Sequence, residues 1–216
     1  MDFKKIAEEI SQKILSYNRD TSGWRVAKTS KKITVSWKPS KEYGGNLYRG
    51  EGVVKEAPAK LIQFMYLPEH RTKWDKSLQI YKLLQRIDAD TFICHTVTHS
   101  FGMGSISPRD FVDLVHIKVY EGDVSIVSSV SVEYPQCSPS SSCIRGYNHP
   151  CGYVCSPLPE NPSYSRLVVF VQPELRGNLP RPVIESALPT SLVNLISDLK
   201  DGIKSPKSHS SHAHKK

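Results

Sequence analysis

The chain has 216 residues and a formal net charge of +8 at pH 7, and this length suits one domain with a sizeable core. No segment repeats at a fixed period, which argues against a solenoid, and no run approaches the roughly 18 apolar residues of a membrane span. The first ten residues are charged and lack the apolar stretch of a secretory signal, so we expect a soluble, cytoplasmic protein. Residues 202–216 hold four lysines and no acid, hence half of the excess charge. The mildly basic remainder is compatible with anionic membranes or with nucleic acid and proves neither.

The first half of the chain predicts a helix, three strands and a second helix. Apolar residues recur at helical spacing through residues 2–17. Short strands are predicted at 24–28, 33–37 and 47–54, the last with glycines that indicate bulging or close packing. Pro58 opens a helix that reaches Tyr66, because proline suits a first helical position. Residues 71–75 predict a short turn or helical piece, in which Asp75 caps or pairs locally with Arg71 or Lys73.

The second half predicts six strands and one long helix. The connecting turns are short, which favours antiparallel pairing. The predicted strands span residues 78–87, 91–100, 110–120, 124–133, 143–154 and 166–172. The segments 134–142 and 156–163 are rich in proline and predict surface loops.

The last predicted helix runs from about residue 182 to residue 204. Its apolar residues recur every three or four positions, and Pro189 should kink it or separate a first turn from the main helix. Residues 205–216 predict a disordered basic tail of histidine, serine and lysine. The whole order predicts an α+β domain over residues 1–204, in which a curved antiparallel sheet wraps around the C-terminal helix. The space between helix and sheet would be an internal cavity.

The stretch from Ser105 to Tyr120 begins as a loop and becomes a long strand. Two glycines just before it break the preceding strand. Pro108 has no backbone N–H group to donate to a neighbouring strand. Alternation along the strand places Asp113 on a face that is otherwise apolar. Together with Met103 and Ile106, which look exposed, this pattern predicts a sheet edge beside a movable flap. An ordinary buried strand after an ordinary loop is an equal alternative.

One face of the predicted strand 91–100 is apolar and hydroxyl-bearing and carries no charge. Its residues are Phe92, Cys94, Thr96, Thr98 and Ser100. Such a wall suits a mostly hydrocarbon ligand with one or two hydroxyl groups. The alternative is that threonine is simply a good strand former.

Sequence motifs of several enzyme classes are missing from the chain, including the nucleophile elbow, the P-loop and the dinucleotide-binding fingerprint. His149, Cys151 and Cys155 lie close together but lack the paired spacing of a zinc site, and the odd number of cysteines favours reduced thiols. A nucleic-acid-binding surface would need basic residues interleaved with exposed aromatic residues. The strands of this chain carry Val, Ile and Leu at the corresponding positions. We therefore expect no catalytic residues, no metal, no cofactor and no nucleic-acid partner.

Six short motifs, taken in order, resemble those of the START family of lipid-transfer domains. The motifs are Arg19–Trp24, Gly45–Arg49, Lys73–Asp75, Ile106–Phe111, Arg145–Gly152 and Gly177–Pro180. The resemblance covers residues 3–204 and is closest to the small stand-alone members of the family, the sterol-carrier subgroup. It implies the helix-grip fold, a curved antiparallel sheet that grips a C-terminal helix over a tunnel for one lipid.

The resemblance also implies a lid and a cavity wall. The lid would consist of the loop 101–109 and one face of the last helix, and the wall would come from the strands beside that loop. The predicted lipid-binding residues are Phe92, Thr96, Thr98, Ser100, Met103, Ile106, Asp113, Val115, Ile117, Leu188, Leu192, Leu195 and Leu199. The buried acid–arginine pair of the family's cholesterol carrier falls here on Thr96 and Val115. That pair is therefore missing, which leaves hydroxyl groups and Asp113 as polar handles.

These observations predict a monomeric carrier that takes one sterol-like lipid, such as cholesterol or a steroid, between membranes through transient contact with membrane surfaces. One alternative is a lipid-sensing or enzyme-like module on the same fold, for which Asp113 is the candidate acid. A second alternative is an RNA-binding or scaffolding module.

Overall fold

The computed structural model describes the backbone of residues 1–214 and the side chains of residues 1–204. The helices are α1 (Phe3–Arg19), α2 (Pro58–Tyr66), α3 (Pro68–Trp74) and α4 (Arg181–His214). The strands are β1 (Arg25–Ser30), β2 (Ile33–Pro39), β3 (Asn46–Val54), β4 (Leu78–Asp88), β5 (Thr91–Thr98), β6 (Arg109–Tyr120), β7 (Val124–Ser131), β8 (Ile144–Arg145), β9 (Tyr147–Asn148), β10 (Cys151–Leu158), β11 (Asn161–Val171) and β12 (Pro173–Glu174). Among the described residues, no helix is both long enough and apolar enough to cross a membrane.

One large sheet forms the body of the molecule, in the order β1-β2-β3-β11-β10-β7-β6-β5-β4. Neighbours along this path pair antiparallel, while the short β8 pairs in parallel with β6. The strands β9 and β12 form a separate two-stranded ladder. The predicted α+β architecture with a curved antiparallel sheet and a C-terminal helix is confirmed.

Helix α4 packs against the β1–β3 end of the sheet, where β3 carries two glycines. A Cβ atom at Gly50 would lie 2.8 Å from Leu192 Cγ and 3.0 Å from Ile196 Cδ1, so no larger residue fits without a shift. Leu192 and Ile196 belong to the main core cluster together with Val35 of β2. Gly50 therefore serves close packing, one of the two roles that the sequence predicted for the glycines of β3, whereas a Cβ atom at Gly52 would make only ordinary contacts at 3.5 Å.

Helix α1 covers the opposite, convex face of the sheet. Asp2 caps it by accepting a hydrogen bond from the Lys5 amide. Its buried face holds Ala7, Ile10 and Ile14, which pack against strands β6, β7, β10 and β11 in two further core clusters. Because α1 and α4 lie on different faces, the sheet has a filled convex side and a concave side that α4 closes.

The segment 156–163 was expected to be a surface loop, and this prediction was wrong. Strand β10 runs to Leu158 and β11 starts at Asn161, so only two residues separate them. Pro157 and Pro162 fit into these strands because each lies beyond the neighbouring strand's pairing: β7 pairs with β10 only up to Cys155, and β3 pairs with β11 only from Ser165. Proline is tolerated at such edge positions since it has no ladder donor to lose.

The predicted single strand 143–154 is divided into β8, β9 and the start of β10. Gly146 separates the first two pieces, and a Cβ atom there would overlap with the Phe111 ring. Pro150 separates β9 from β10 and has no amide hydrogen with which to continue a ladder. Each piece accordingly pairs with a different partner, β6 for β8 and β12 for β9.

Helix α4 is continuous through Pro189, so the alternative of a separated first turn was wrong. Pro189 is buried and lies between Leu188 and Thr190 without interrupting the helical assignment. The backbone of α4 extends to His214, whereas the sequence predicted a helix that ends near residue 204. The predicted disorder of the tail 205–216 stays a prediction.

Candidate functional site

A cavity of about 1010 Å³ lies between the concave face of the sheet and helix α4. Its walls come from β5, β6, β7 and β10 on the sheet side, from α2 and α3 at one end, and from α4 and the loop 99–105 around the opening. This volume falls at the upper end of the range found for small-molecule sites in proteins.

Nine of the thirteen predicted lipid-binding residues lie on the wall of this cavity. They are Thr96, Thr98, Ser100, Met103, Asp113, Val115, Leu188, Leu192 and Leu195. The structure thus brings together residues from one loop, two strands and one helix. Whether they contact a lipid stays a prediction.

The other four predicted residues do not line the cavity. Phe92 and Ile117 share faces with wall residues, but they lie farther along their strands, where Ile62 and Tyr66 of α2 cover the sheet. Alternation was right for these two residues, but it gave no information on where the cavity ends.

Ile106 and Leu199 belong to the core instead. Ile106 has no exposed surface, contrary to the expected exposure, because its main chain bridges to Phe101 and turns its side chain inward. Leu199 is also fully buried, on the side of α4 that faces the core cluster with Trp74.

The loop 101–106 closes one side of the opening. Gly102, Met103 and Gly104 all have positive φ angles, which fold the loop back so that Phe101 and Ile106 pair. A Cβ atom at Gly102 would lie 3.1 Å from the Ala187 Cβ atom of α4, so the loop packs directly on the helix. Met103 at its tip is fully exposed to solvent. The predicted flap is therefore a tight loop between the sheet and α4 with an apolar tip.

Arg109 fastens the base of this loop to the segment that leads into α4. Its side chain is 1% exposed, and it donates to the carbonyl oxygens of Ser107, Leu175 and Arg176 at 2.7 to 2.9 Å. Gly177 follows with a φ of +80°, and a Cβ atom there would lie 2.5 Å from Arg109 Nη2. One buried guanidinium group thus connects the two elements that border the opening.

Arg71 lies on the cavity wall at the α3 end, a position that the sequence prediction did not include. Its Nε donates to Asp75 at 2.8 Å and its Nη1 to the Met65 carbonyl at 2.7 Å, as the predicted local pairing of Asp75 required. The guanidinium group also lies over the rings of Tyr81 and Tyr153, at 5.4 and 5.7 Å. The spacing of four residues between Arg71 and Asp75 signalled the ion pair. No signal indicated that it faces a cavity, because Tyr153 comes from β10, which lies far from α3 in the sequence.

Asp113 lies in the middle of the sheet wall and is held by a directed hydrogen-bond network. The Asn148 amide nitrogen donates to Ser131 Oγ at 2.7 Å, Ser131 Oγ donates to Asp113 Oδ1 at 2.6 Å, and Asn148 Nδ2 donates to Asp113 Oδ2 at 2.8 Å. Burial raises the pKa of the Asp113 carboxyl above its ordinary value, and the hydrogen bonds from Ser131 and Asn148 act in the opposite direction. The sequence prediction found Asp113 but missed Asn148, which reaches the wall from the separate β9–β12 ladder.

Two cysteine thiols complete the sheet wall. Cys94 and Cys151 both line the cavity, and burial raises the pKa of each, that of Cys151 to about 12. Both thiols are therefore protonated near neutral pH and are weak nucleophiles.

The residues considered for a metal have other contacts. His149 hydrogen-bonds Glu174 at 2.9 Å and stacks on the Tyr43 ring, while Cys155 is buried in the core. Within the described residues, no group of three or more ligating side chains forms a metal site.

A curved sheet that grips one long helix around a largely apolar cavity defines a helix-grip ligand-binding domain. The START domain model matches residues 5–208. The chain therefore belongs to the START family.

The similarity to named relatives extends over almost the whole chain. The chain is 59% identical over 220 residues to StAR-related lipid transfer protein 6 from Homo sapiens, covering 99% of this chain and 100% of that protein. It is 38% identical to StAR-related lipid transfer protein 5 from Homo sapiens, over 93% and 95% of the two chains. A solved structure of human StAR-related lipid transfer protein 5 superposes with a TM-score of 0.88 and covers 94% of this chain and 97% of its own. The names of these relatives describe lipid transfer and not catalysis.

Proposed function

We propose that this START domain binds one sterol-like lipid in its cavity and carries it between membranes without covalent chemistry. The observation that carries this proposal is the cavity itself, a hydrocarbon-lined space closed by α4 with a few polar groups on its wall. Membership of the START family and the names of the relatives support it. A cytoplasmic location and a monomeric state, expected from the sequence, are part of the same proposal.

The size of the cavity supports a ligand of sterol dimensions. Burying about 400 Å² of apolar ligand surface at about 25 cal/mol per Å² yields on the order of 10 kcal/mol before the costs of association. With association costs near the lower end of their range, about 4 kcal/mol, several kilocalories per mole remain, and apolar contact then supports useful affinity. The missing acid–arginine pair at Thr96 and Val115 does not prevent this, because the wall keeps Asp113 and several hydroxyl groups as polar handles.

Lipid entry requires the border of the cavity to open. The loop 101–106 and the start of α4 are the elements that we propose to move, since they meet at Gly102 and Ala187 over the opening. The exposed Met103 at the loop tip is the apolar group placed to touch a membrane during this step. The basic residues of the body and of the tail would favour transient contact with anionic surfaces.

Transfer of a fluorescent sterol between donor and acceptor vesicles tests this function. We expect the protein to accelerate transfer in proportion to its concentration, well above spontaneous exchange through water. The variant Leu195→Asp, which places a charge on the cavity wall, should accelerate transfer far less. A wild-type protein that is folded but leaves the transfer rate of sterols at the spontaneous level would contradict the proposal.

A further inference from the structure

We propose that Asp113 makes this cavity selective for neutral lipids that carry a free hydroxyl group, and that it disfavours the ketone, ether or ester of the same lipid. This inference deepens the proposed function and rests on it, because it concerns the ligand of the same cavity. It assigns to Asp113 the role of a specificity-determining residue.

The hydrogen bonds around Asp113 have a fixed direction. The Ser131 hydroxyl oxygen accepts a hydrogen bond from the backbone amide of Asn148. Its own hydrogen therefore points toward Asp113 Oδ1. The Asn148 side chain donates to the second oxygen, Oδ2. Both carboxylate oxygens thus act as acceptors, and their orientation is fixed from behind by two strands, β7 and β9.

The Asp113 carboxylate can accept more hydrogen bonds than the protein supplies. Each carboxylate oxygen has room for about two hydrogen bonds, and the protein supplies one to each. Asp113 is buried at 6% exposure and lines the cavity, so a ligand in the cavity replaces the water that would otherwise satisfy the remaining positions. A ligand that displaces this water without donating a hydrogen bond leaves those positions of a buried carboxylate unfilled, which is unfavourable. The ligand must therefore bring a hydrogen-bond donor to this point.

The neighbouring polar groups do not impose the same choice. The hydroxyl groups of Thr96, Thr98 and Ser129 on the wall can donate or accept, so they tolerate an alcohol and a ketone alike. Asn148 lines the wall beside Asp113 and offers an amide that can donate to the oxygen of the same alcohol. An alcohol satisfies both neighbours, whereas a ketone or an ether oxygen faces the carboxylate with a second acceptor.

The negative charge of the Asp113 carboxylate also restricts the charge of the ligand. A sulfate or carboxylate head at this point would bring a second negative charge against a desolvated carboxylate, which is unfavourable in a buried site. The arrangement therefore selects for an uncharged alcohol over an acidic lipid group next to Asp113.

The test compares matched ligands that differ only at the hydroxyl group. The probes are cholesterol with its methyl ether, and androstanediol with androstanedione, each delivered from cyclodextrin and measured by calorimetric titration. Wild-type protein should bind each alcohol about tenfold or more tightly than its partner, in line with sites that hydrogen-bond a substrate hydroxyl. Asp113→Asn turns one carboxylate oxygen into a donor and should bring the ratio of affinities close to one or reverse it.

Asp110→Asn is the matched control on the same strand. Asp110 is equally buried but lies on the convex face, where it pairs with Arg145 and His95. This variant should lower stability and leave the affinity ratio unchanged. Equal affinities for both members of each pair in the wild type, or a ratio that Asp113→Asn does not alter, would overturn the inference while the carrier function stands. A folded wild type that binds none of the four probes would overturn the proposed function and the inference together.

A second measurement covers the case that Asp113→Asn does not fold. The carboxyl carbon of Asp113 can be followed by NMR in wild-type protein labelled with carbon-13 aspartate. Its resonance should shift on adding the alcohol of each pair and stay in place with the ether or the ketone. A resonance that responds equally to both members would contradict the role of Asp113.

Discussion

Two of the charged side chains that line the cavity, Arg71 and Asp113, are buried, and each has hydrogen-bond partners within the protein. Arg71 is paired with Asp75 and covered by tyrosine rings. Asp113 is supported by Ser131 and Asn148. Buried charges with partners in place are tolerated, whereas removing one partner leaves a costly unpaired group. The wall therefore combines a mainly apolar surface with two buried charged side chains whose orientation is fixed by hydrogen bonds.

Leu195 tests the cavity at the level of a single residue. Replacing it with aspartate places a charge on the helix face of the wall, so we expect binding of a fluorescent sterol to weaken about tenfold or more. Leu195 is only partly buried, and stability should fall by about 1–2 kcal/mol, measured by urea unfolding.

Ser197→Asp is the control for Leu195→Asp. It adds the same charge to the same helix at a position that does not line the cavity. Its sterol affinity should match the wild type, with stability changed by about 0.5 kcal/mol at most. Equal binding by wild type and Leu195→Asp would remove α4 from the ligand site.

Alternation along β5 and β6 places Thr96, Thr98, Asp113 and Val115 on the correct face, because the side-chain period of a strand is fixed at two. The same rule places Phe92 on that face as well, but it does not show that α2 covers this residue. The contacts of Arg71 and Asn148 were out of reach because each joins elements that lie far apart in the sequence. Local patterns report which face a residue occupies, while the limits of a cavity depend on the packing of distant segments.

At the scale of elements, the docking of α4 on β3 depends on the absence of side chains in the strand. Gly50→Ala should destabilise the protein by about 1–3 kcal/mol, since its new Cβ atom would lie 2.8 Å from Leu192 Cγ. At Gly52 the nearest atoms would be 3.5 Å away, an ordinary contact. Gly52→Ala should therefore be neutral or stabilising by up to about 1 kcal/mol, because glycine weakens a strand. Equal unfolding free energies for the two variants would contradict this packing.

The lid, which consists of the loop 101–109 and the start of α4, depends on the absence of a side chain at Gly177. Gly177→Ala combines an unfavourable positive φ with a collision against Arg109 Nη2, so it should loosen the connection between the loop 101–109 and the start of α4. We expect faster hydrogen exchange at residues 102–106 and 175–179 and faster release of bound sterol.

Gly104→Ala separates the two causes. Gly104 also has a positive φ, but its Cβ atom would meet nothing within 4 Å. It should carry the backbone strain alone and leave exchange at 175–179 unchanged. If both variants open both segments equally, the Arg109 contact does not couple them.

The elements themselves were largely predictable. Helices α1 and α4 follow from apolar periodicity, α2 follows from Pro58 at its first position, and most strands follow from runs of strand-forming residues. The errors fell on prolines, which were interpreted as loop signals at Pro157 and Pro162 although they occupy unpaired edges of strands. Strand pairing decides whether a proline is tolerated, and pairing is not visible in a local window of sequence.

At the scale of the whole molecule, the excess positive charge is expected to act on membrane association and not on lipid binding. Deleting residues 205–216 removes three lysines, each of which contributes about 1 kcal/mol near an anionic surface. We expect sedimentation with phosphatidylserine vesicles to fall about tenfold or more at low salt, and sterol affinity in solution to stay the same. Neutral phosphatidylcholine vesicles serve as the control. Unchanged sedimentation with the anionic vesicles would assign the membrane contact to other surfaces.

The central claim is that the cavity under α4 holds one lipid per chain. Native mass spectrometry of the full-length protein purified from a eukaryotic host, followed by lipid extraction, tests it most directly. We predict a population of chains that carries a single neutral lipid of sterol size, and saturable one-to-one uptake of added sterol by the empty chains. A folded chain that is empty on purification and takes up no sterol, bile acid or phospholipid would contradict the claim.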